Sequence, residues 1–510
     1  MARSNRSDVF RDLRAHLAPI VDLHAASAVL RWDEETYMPP GGARARAEVL
    51  ATLSRLTHER FVSAETRRLL EHAHEALNQL DPDSDDAALV RVTQRDYDHA
   101  SKLPNDFVAE RARAASQSTQ VWRDARPRDD FAAFRPYLER MIDLARRTAD
   151  YLGYAEHPYD ALLDQYEPGV TSRDLEALFG RLRDATVPLV RAVGERAAAV
   201  DDAVLHQEFG EDSQREFALQ IIGAFGYDTA RGRLDTSAHP FSTEFSRDDV
   251  RITTRFSPRS LSAVFGAFHE AGHAMYAQGT AAALDRTPLA DGASYGIHES
   301  QSRLWENLVG RSRPFWQHAF PRLRRCFPAQ LGGTDAEAFY RAVNRVEPSL
   351  IRVEADEVTY NLHIILRFEL ERALLGGEVL ARDLPALWKA KMATYLGVTP
   401  PTDADGVMQD IHWASGLIGY FPSYTIGNVA SVQLFQAARG AHPDLEERLR
   451  GGEFAALLTW LRGHVHSVGR KFFPQDLLVR ATGRPLTPEP YLAYLWEKFG
   501  DLYGVTAPGT

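Results

Sequence analysis

The chain has 510 residues, of which 44% are hydrophobic, and its 59 lysines and arginines stand against 70 acidic residues, for a formal net charge of −11. This apolar content excludes an intrinsically disordered protein. The negative charge argues against a nucleic-acid partner and against an anionic membrane surface, and no run of about 18 apolar residues could span a bilayer. The one cysteine, Cys326, excludes an intramolecular disulfide, so we expect a cytoplasmic location.

Apolar residues recur at helical spacing through most of the chain, which predicts a mainly α fold. Between residues 172 and 187, for example, Leu175, Leu178, Phe179 and Leu182 follow the i, i+3, i+4, i+7 pattern. No breaker-rich stretch is long enough for an interdomain linker, and no repeat has a fixed period. We therefore expect one connected, large multi-helix body.

Residues 249–256 are the exception, because Val250, Ile252 and Phe256 alternate with polar residues and so predict a β-strand. The strand comes directly before the most informative helix of the chain, so we expect a small β-sheet beside that helix. The edge of such a sheet could bind an extended peptide by main-chain pairing. A short structural hairpin is the alternative.

The next helix carries His269, Glu270 and His273 in the pattern HExxH. Ser257-Pro258 predicts its start and Gly279 its end. The two histidines are four residues apart, so they lie on one face of the helix and can hold a single metal ion. Glu270 is rotated by about 100° from His269, which suits a base beside the metal. The spacing is typical of zinc hydrolysis.

Catalytic zinc usually takes three protein ligands, so a third ligand is needed. Glu299, 26 residues after His273 at the start of another predicted helix, is the favoured candidate, and its neighbour His298 is the rival. A three-histidine site is disfavoured, because Tyr276 and Gly279 stand where the HExxHxxGxxH motif needs glycine and histidine.

Together with other short blocks in the same order, these motifs resemble the M32 family of metallocarboxypeptidases over nearly the whole chain. The blocks are Trp32-Asp33 with Thr36, Met38-Pro39 and Gly41; His239-Pro240-Phe241; Asp249, Arg251 and Thr253; His269-Glu270 with Gly272-His273; His298-Glu299-Ser300-Gln301; Ile351-Arg352 with Ala355-Asp356; Gly406, Gln409-Asp410 and His412-Trp413; and Gly419 to Tyr424.

The resemblance implies a mainly α, large multi-helix body with a deep active-site groove and a homodimeric assembly. It implies a single peptidase domain over residues 1–510, in which a helical N-terminal part, about 1–235, forms one wall of the groove and about 236–510 is the catalytic part. It also implies one divalent metal per chain, zinc first, with cobalt or manganese as alternatives.

Residue by residue, the resemblance makes His269, His273 and Glu299 the metal ligands and Glu270 the base. Glu270 would take a proton from a metal-bound water as that water attacks the scissile carbonyl. The reaction would release single C-terminal amino acids, with broad specificity, from peptides with a free C-terminal carboxylate.

A carboxypeptidase must also bind the terminal carboxylate, for which arginine is the natural partner. We expect Arg352 to do this, with Asp356, four residues later, holding its guanidinium in place. Arg251 is a weaker candidate for substrate binding, since a structural role on the strand fits it equally well.

Further candidates come from the last two blocks and from the block that contains His239. His412 and either Tyr424 or Tyr420 could donate to the oxyanion of the tetrahedral intermediate, with Tyr424 favoured; packing of the tyrosines is the alternative. His239 is expected to shape the groove or to touch substrate, unless it only forms a turn.

Two other functions stay open. One is a helical metallo-oligopeptidase, acting as a dipeptidyl carboxypeptidase or an endopeptidase; of these, the endopeptidase would hardly depend on a carboxylate clamp. The other is a non-catalytic peptide-binding scaffold. An intact Glu270 argues against the scaffold, because a binding protein has no need of the base.

Overall fold

The computed structural model describes residues 6–507, and it confirms the mainly α fold. The helices before the sheet are α1 (Arg6–Thr36), α2 (Ala43–Phe61), α3 (Ala64–Ala76), α4 (Asp85–Lys102), α5 (Asn105–Ala125), α6 (Phe131–Leu152), α7 (Pro158–Leu163), α8 (Ser172–Gly194) and α9 (Glu211–Phe225). Three strands follow: β1 (Leu234–Thr236), β2 (Phe241–Ser246) and β3 (Asp249–Thr254).

The helices after the sheet are α10 (Ser262–Gly279), α11 (Tyr295–Arg303), α12 (Arg313–Cys326), α13 (Pro328–Leu331), α14 (Ala336–Ala342), α15 (Tyr360–Gly376), α16 (Leu384–Leu396), α17 (Pro422–Ala441), α18 (Leu445–Gly451), α19 (Ala455–His464), α20 (Pro474–Thr482) and α21 (Glu489–Tyr503). A π-helix, Leu304–Val309, continues directly from α11. Within residues 6–507, no helix has both the length and the apolar character needed to cross a membrane.

Helix α8 shows how the local sequence specifies structure. The Asp174 N–H donates to the Thr171 hydroxyl and the Thr171 N–H donates to the Asp174 carboxylate, which closes a capping box at the start of the helix. All four residues of the apolar stripe predicted for this helix are buried. The cap therefore sets where α8 begins, and the stripe sets which face it buries.

The predicted small sheet has the strand order β1-β3-β2. Strand β3 lies in the middle, parallel to β1 and antiparallel to β2. Val250 and Ile252 of β3 are buried, as their alternation predicts, although the strand ends at Thr254 rather than at Phe256. Helix α10 packs against β3, so the sheet lies beside the HExxH helix. Peptide pairing along its edge stays a hypothesis.

The prediction that Ser257-Pro258 starts the HExxH helix is wrong. The Ser260 N–H donates to the Ser257 carbonyl, and the Pro258 carbonyl accepts a hydrogen bond from the Phe209 N–H. These bonds hold residues 257–260 in a turn outside the helix, so α10 begins at Ser262. Its end at Gly279 is as predicted.

The chain divides into two compact units, and each unit combines three separate segments. Unit 1 contains residues 6–101, 203–340 and 434–485, and unit 2 contains residues 102–202, 341–433 and 486–507. Both units thus take residues from either side of position 235. The single peptidase domain and its two-part division stay predictions.

Each unit has its own buried core. In unit 1, α1, α3 and α4 pack through Leu13, Leu17, Leu70 and Leu89, which are almost wholly buried. Helix α10 lies between β3, α9 and α11 and is buried on most of its circumference. In unit 2, α5 and α6 pack against each other. Because α10 is held on so many sides, the groups that it carries have little freedom to move.

Candidate metal and substrate sites

Helices α10 and α11 bring three donor groups together in unit 1. His269 and His273 of α10 and Glu299 of α11 each offer one ligand atom, and these atoms all lie within 4.8 Å of one another. The Oε2 atom of Glu299 is 3.6 Å from Nε2 of His269 and 3.4 Å from Nε2 of His273. We name these three residues the donor cluster.

The opposite ring nitrogen of His269 has a partner that the sequence reasoning missed. Its Nδ1 lies 2.9 Å from Oε2 of Glu306, which belongs to the π-helix. A carboxylate here accepts a hydrogen bond from Nδ1–H, which fixes the tautomer and leaves the Nε2 lone pair free for a metal. π-Helical turns are often found at functional sites.

Arg303 supplies the positive charge beside these carboxylates. Its Nε donates to Glu299 at 2.7 Å and its Nη1 donates to Glu306 at 3.3 Å. Burial raises the pKa of both carboxyls, but Arg303 and the histidines outweigh it, and Arg311 adds to the effect on Glu306. The pKa of Glu299 is therefore well below its usual value, and that of Glu306 is about 2.

Glu270 is buried on α10 beside the donor cluster. Burial raises the pKa of its carboxyl, and the nearby charges of Glu299 and Glu306 raise it further, against the opposing effect of His269 and His273. The residue shares the environment of the cluster without contributing a ligand atom to it, as the rotation from His269 predicts.

His298, the rival third ligand, contacts His273 from the other side. Its Nδ1 is 2.6 Å from Nδ1 of His273, whereas Glu299 faces Nε2 of that ring. Burial, reinforced by His273, lowers the pKa of His298 well below its usual value, so the ring is neutral and can accept a hydrogen bond from the Nδ1–H of His273. This placement favours Glu299 as the third ligand and gives His298 a role in orienting His273.

The close approach of α10 and α11 depends on Gly272. A Cβ atom at this position would lie 2.6 Å from the Gln301 carbonyl oxygen and 2.6 Å from Cα of Ser302. These atoms belong to the backbone of α11 and cannot rotate away as a side chain could. Gly272 therefore allows Glu299 to reach the two histidines.

A second group of predicted residues meets in unit 2 around Arg352. Its Nε and Nη2 both donate to Oδ1 of Asp410, at 3.0 and 2.8 Å, and its Nη1 donates to the Tyr360 hydroxyl at 3.0 Å. The Arg367 guanidinium pairs with the other oxygen of Asp410 at 2.6 Å. We name Arg352, Arg367 and Asp410 the arginine cluster.

The arginine cluster carries more positive than negative charge. Both arginines are buried and share the Asp410 carboxylate. Burial raises the pKa of Asp410, but the two guanidinium groups outweigh it and hold that pKa well below its usual range. The adjacent His363 is neutral, because burial and the two arginines lower its pKa. One excess positive charge is thus buried, which suits the binding of an anion.

The predicted pairing of Arg352 with Asp356 is wrong. Arg352–Glu354 forms a single 3-10 turn, and Ala355 is extended, with φ −67° and ψ 140°. Residues four apart therefore do not share a helical face here. Asp356 instead accepts hydrogen bonds from the N–H groups of Val358 and Thr359 and from the Thr359 hydroxyl.

His412 and the two candidate tyrosines lie in unit 2 beside the arginine cluster. Nε2 of His412 is 3.2 Å from the Tyr424 hydroxyl, and Cζ of Arg352 is 5.0 Å from the centre of the Tyr424 ring. Burial lowers the pKa of His412 to about 3, with Arg352 adding to the effect, so the imidazole is neutral at pH 7. The Tyr420 ring packs edge-on against Tyr424 at 5.2 Å.

Arg251 and His239 lie in unit 1, at the sheet. The Arg251 guanidinium pairs with Asp249 at 2.8 Å and lies 4.3 Å from the Trp32 ring centre and 4.8 Å from that of Phe245. These contacts occupy its charge and place two aromatic rings close to its guanidinium. His239 is exposed, and its carbonyl accepts a hydrogen bond from the Ser237 hydroxyl.

Sequence signals existed for some of the missed residues. Glu306 is seven residues after Glu299, which is two turns along one face of a helix. If Glu299 is a metal ligand, Glu306 is therefore expected to lie near the same site. Asp410 belongs to the same block as His412, but nothing in one sequence pairs it with an arginine 58 positions earlier. Arg367 lies in α15, whose sequence is mostly apolar, and nothing in that sequence predicts a functional role for it.

A family profile described as Carboxypeptidase Taq (M32) metallopeptidase matches residues 12–499. The chain belongs to the M32 family of carboxypeptidases. It is similar to thermostable carboxypeptidase 1 of Thermus thermophilus, with 45% identity over 493 residues, which cover 94% of this chain and 96% of the relative. Carboxypeptidase 1 of Bacillus subtilis is 40% identical over 479 residues, covering 94% and 95%.

Solved structures agree with this assignment. The M32 carboxypeptidase of Deinococcus radiodurans R1 superimposes with a TM-score of 0.95 at 43% identity, covering 98% of this chain and all of that structure. The protein is therefore a metallocarboxypeptidase that acts on peptides with a divalent metal. Two imidazole nitrogens and one carboxylate oxygen are a donor set found in catalytic metal sites, so the donor cluster of this M32 carboxypeptidase fits such an ion.

We predict that Glu299→Ala and His298→Ala differ in metal binding. Glu299→Ala removes a donor atom and should abolish tight binding. His298→Ala removes only a partner of His273 and should weaken binding roughly 10- to 100-fold, the usual effect of losing an outer hydrogen bond. Zinc titration against a competing chelator measures both affinities. The opposite order would make His298 the ligand.

We also predict that Gly272→Ala separates α10 from α11. The added methyl meets backbone atoms of α11, so the free energy of unfolding should fall by about 1–3 kcal/mol, and metal affinity should fall with it. Gly463→Ala is the matched control, since a Cβ in that part of α19 meets nothing within 4 Å. Thermal denaturation and metal titration of both variants test this; equal behaviour would contradict it.

Proposed function

We propose that this M32 carboxypeptidase removes single C-terminal amino acids from peptides, with broad side-chain preference, by Glu270-assisted attack of water on the last peptide bond. The observation that carries the proposal is the donor cluster, with the buried Glu270 carboxylate on the same helix. A group held by α10 at one residue from a ligand has the fixed position that proton transfer requires.

The donor cluster favours zinc, with cobalt and manganese as the alternatives. Nitrogen donors from two histidines and one glutamate oxygen are common at hydrolytic zinc sites. A divalent ion held there would supply Lewis acidity, which lowers the pKa of water and polarises a carbonyl. Glu306, His298 and Arg303 would keep the ligand side chains in the orientation that binding needs.

Glu270 would move the proton. Its carboxylate takes a proton from the attacking water and then gives that proton to the nitrogen of the leaving amino acid, so the residue ends the cycle as it began. Its burial keeps the carboxylate from competing hydrogen bonds with bulk water. Separate residues therefore bind the metal and transfer the proton.

Arg352 would bind the terminal carboxylate of the peptide. A guanidinium has five N–H donors, and three of those in Arg352 already face Asp410 and Tyr360. One N–H on each of Nη1 and Nη2 is left for the substrate, which is the geometry of a two-point contact with a carboxylate. The excess positive charge of the arginine cluster supports this assignment.

His412 and Tyr424 would donate hydrogen bonds to the oxygen that gains charge in the transition state. They lie within hydrogen-bond distance of each other, so either can be oriented by its neighbour. Tyr420 is the second choice. His239, which is exposed, is proposed to touch substrate, and Arg251 is the weaker candidate because Asp249 and two rings already hold it.

Three further properties belong to the proposal. We infer a homodimer from the family alone. A cytoplasmic location follows from the single cysteine, which fits a reducing compartment. Broad specificity rests on the family too, since the proposed contacts of Arg352 and Glu270 involve only the backbone and terminus of a peptide.

We predict that Glu270→Gln separates metal binding from turnover. The amide cannot accept a proton, so kcat should fall by about 100- to 10,000-fold, whereas metal content should stay at one ion per chain. His269→Ala is the control that loses the metal itself. Metal analysis and initial rates on the same preparations measure both effects. Loss of metal from Glu270→Gln would make it a ligand rather than the base.

The reaction class is tested by mass spectrometry of one peptide offered as the free acid and as the C-terminal amide. We expect stepwise loss of single residues from the acid only, abolished by a chelator. Arg352→Gln should lower kcat/KM for the acid about 100-fold, the size expected for a lost charged hydrogen bond. Arg382→Gln, at a well-exposed arginine, is the matched control.

Other products would redirect the proposal. Release of dipeptides, or cleavage inside the amidated peptide, would establish the oligopeptidase. Peptide binding without cleavage by any loaded metal would establish the scaffold. An unchanged kcat/KM for the free acid in Arg352→Gln would show that Arg352 does not bind the terminal carboxylate.

A further inference from the structure

Unit 2 contains a cavity of about 330 Å³ formed by α5, α6 and the segments 162–166 and 415–418. Most of its wall is apolar, with side chains that include Leu103, Met141, Leu144, Leu162 and Ile418. Val108, which is 37% exposed, also lines it, so the cavity opens to solvent at α5. Its volume is at the lower end of the range of small-molecule sites.

One charged side chain, Arg111, lines this apolar cavity. The arginine is half-buried, and burial lowers the pKa of its guanidinium, with only Tyr166 opposing. No carboxylate pairs with Arg111 in the described part of the chain. The acid before it on α5, Glu110, pairs with Arg140 and Arg147 instead.

The other polar groups of the wall offer few free donors. The Thr148 hydroxyl donates to the Leu144 carbonyl at 2.7 Å, and the Ser415 hydroxyl donates to the Ile411 carbonyl at 3.0 Å. The described lining residues include no Asp or Glu. Arg111 is thus a partly desolvated cation whose charge the wall does not neutralise.

We propose that this cavity binds a small monocarboxylate with an apolar body, whose carboxylate pairs with Arg111. The apolar wall accepts the body, and the planar guanidinium accepts the carboxylate. A free amino acid does not fit, because its ammonium group would be buried without an acidic partner. The inference goes beyond the proposed function and does not rest on it.

Three probes with one carbon skeleton test the charge requirement on the full-length, metal-loaded protein. These are 3-phenylpropionate, phenylalanine, which adds an ammonium group, and 3-phenylpropan-1-ol, which has no charge. Isothermal titration calorimetry should show 3-phenylpropionate binding at least tenfold more tightly than either of the others, which is about 1.4 kcal/mol.

Variants of α5 and its surroundings locate the probe. Arg111→Gln should lower the affinity for 3-phenylpropionate at least tenfold, and Arg111→Lys, which keeps the charge, should restore much of it. Ala115→Leu fills part of the cavity and should weaken binding although Arg111 is intact. Arg113→Gln, at an exposed arginine two residues along, should bind as the parent does.

Several results would overturn the proposal. These are no measurable binding at millimolar probe, unchanged binding in Arg111→Gln or Ala115→Leu, and equal affinity for phenylalanine. Loss of binding on chelation, or in Arg352→Gln but not in Arg111→Gln, would assign the probe to the residues proposed for catalysis. Because the titration measures no hydrolysis, the outcome is independent of whether the proposed reaction is correct.

Discussion

Carboxylates buried beside α10 must have their charge balanced, and Arg303 does this for two of them at once. Without that arginine, Glu299 and Glu306 would repel each other and would favour protonation, because burial raises the pKa of both. A protonated Glu299 is a poor metal ligand, and a protonated Glu306 is a much weaker acceptor for the hydrogen bond from Nδ1–H of His269. The donor cluster therefore depends on Arg303, because its positive charge keeps Glu299 and Glu306 ionised.

The arginine cluster of unit 2 has the reverse balance. There two guanidinium groups share one carboxylate, Asp410, so the surplus is positive. Asp410 accepts hydrogen bonds from Nε and Nη2 of Arg352, and one N–H on each of Nη1 and Nη2 is not used by Asp410 or Tyr360. The two sets of residues differ in the sign of their surplus charge: around Arg303 two carboxylates are kept ionised, and around Asp410 one guanidinium charge is left over.

Much of this was predictable from the sequence, because it depends on local spacing. The mainly α fold follows from apolar periodicity, and β3 follows from the alternation of Val250 and Ile252. His269 and His273 share a face wherever they lie in a helix. The start of α10 was not predictable, since a hydrogen bond from distant Phe209 holds Pro258 outside the helix. The partner of Arg352 was missed for a similar reason: residues 352–356 are not an α-helix, and Asp410 is 58 residues away.

The segments of the two units alternate along the sequence, and this has a consequence for synthesis of the chain. In unit 1, Arg470 pairs with Asp96 and Lys471 with Asp85, across 374 and 386 residues. Unit 2 likewise needs its last segment, after residue 485. Neither unit is complete while the ribosome is still making the first 430 residues, so the early surfaces that pack against the last segments stay exposed until then. We expect a nascent chain of this protein to need protection from aggregation for most of its translation.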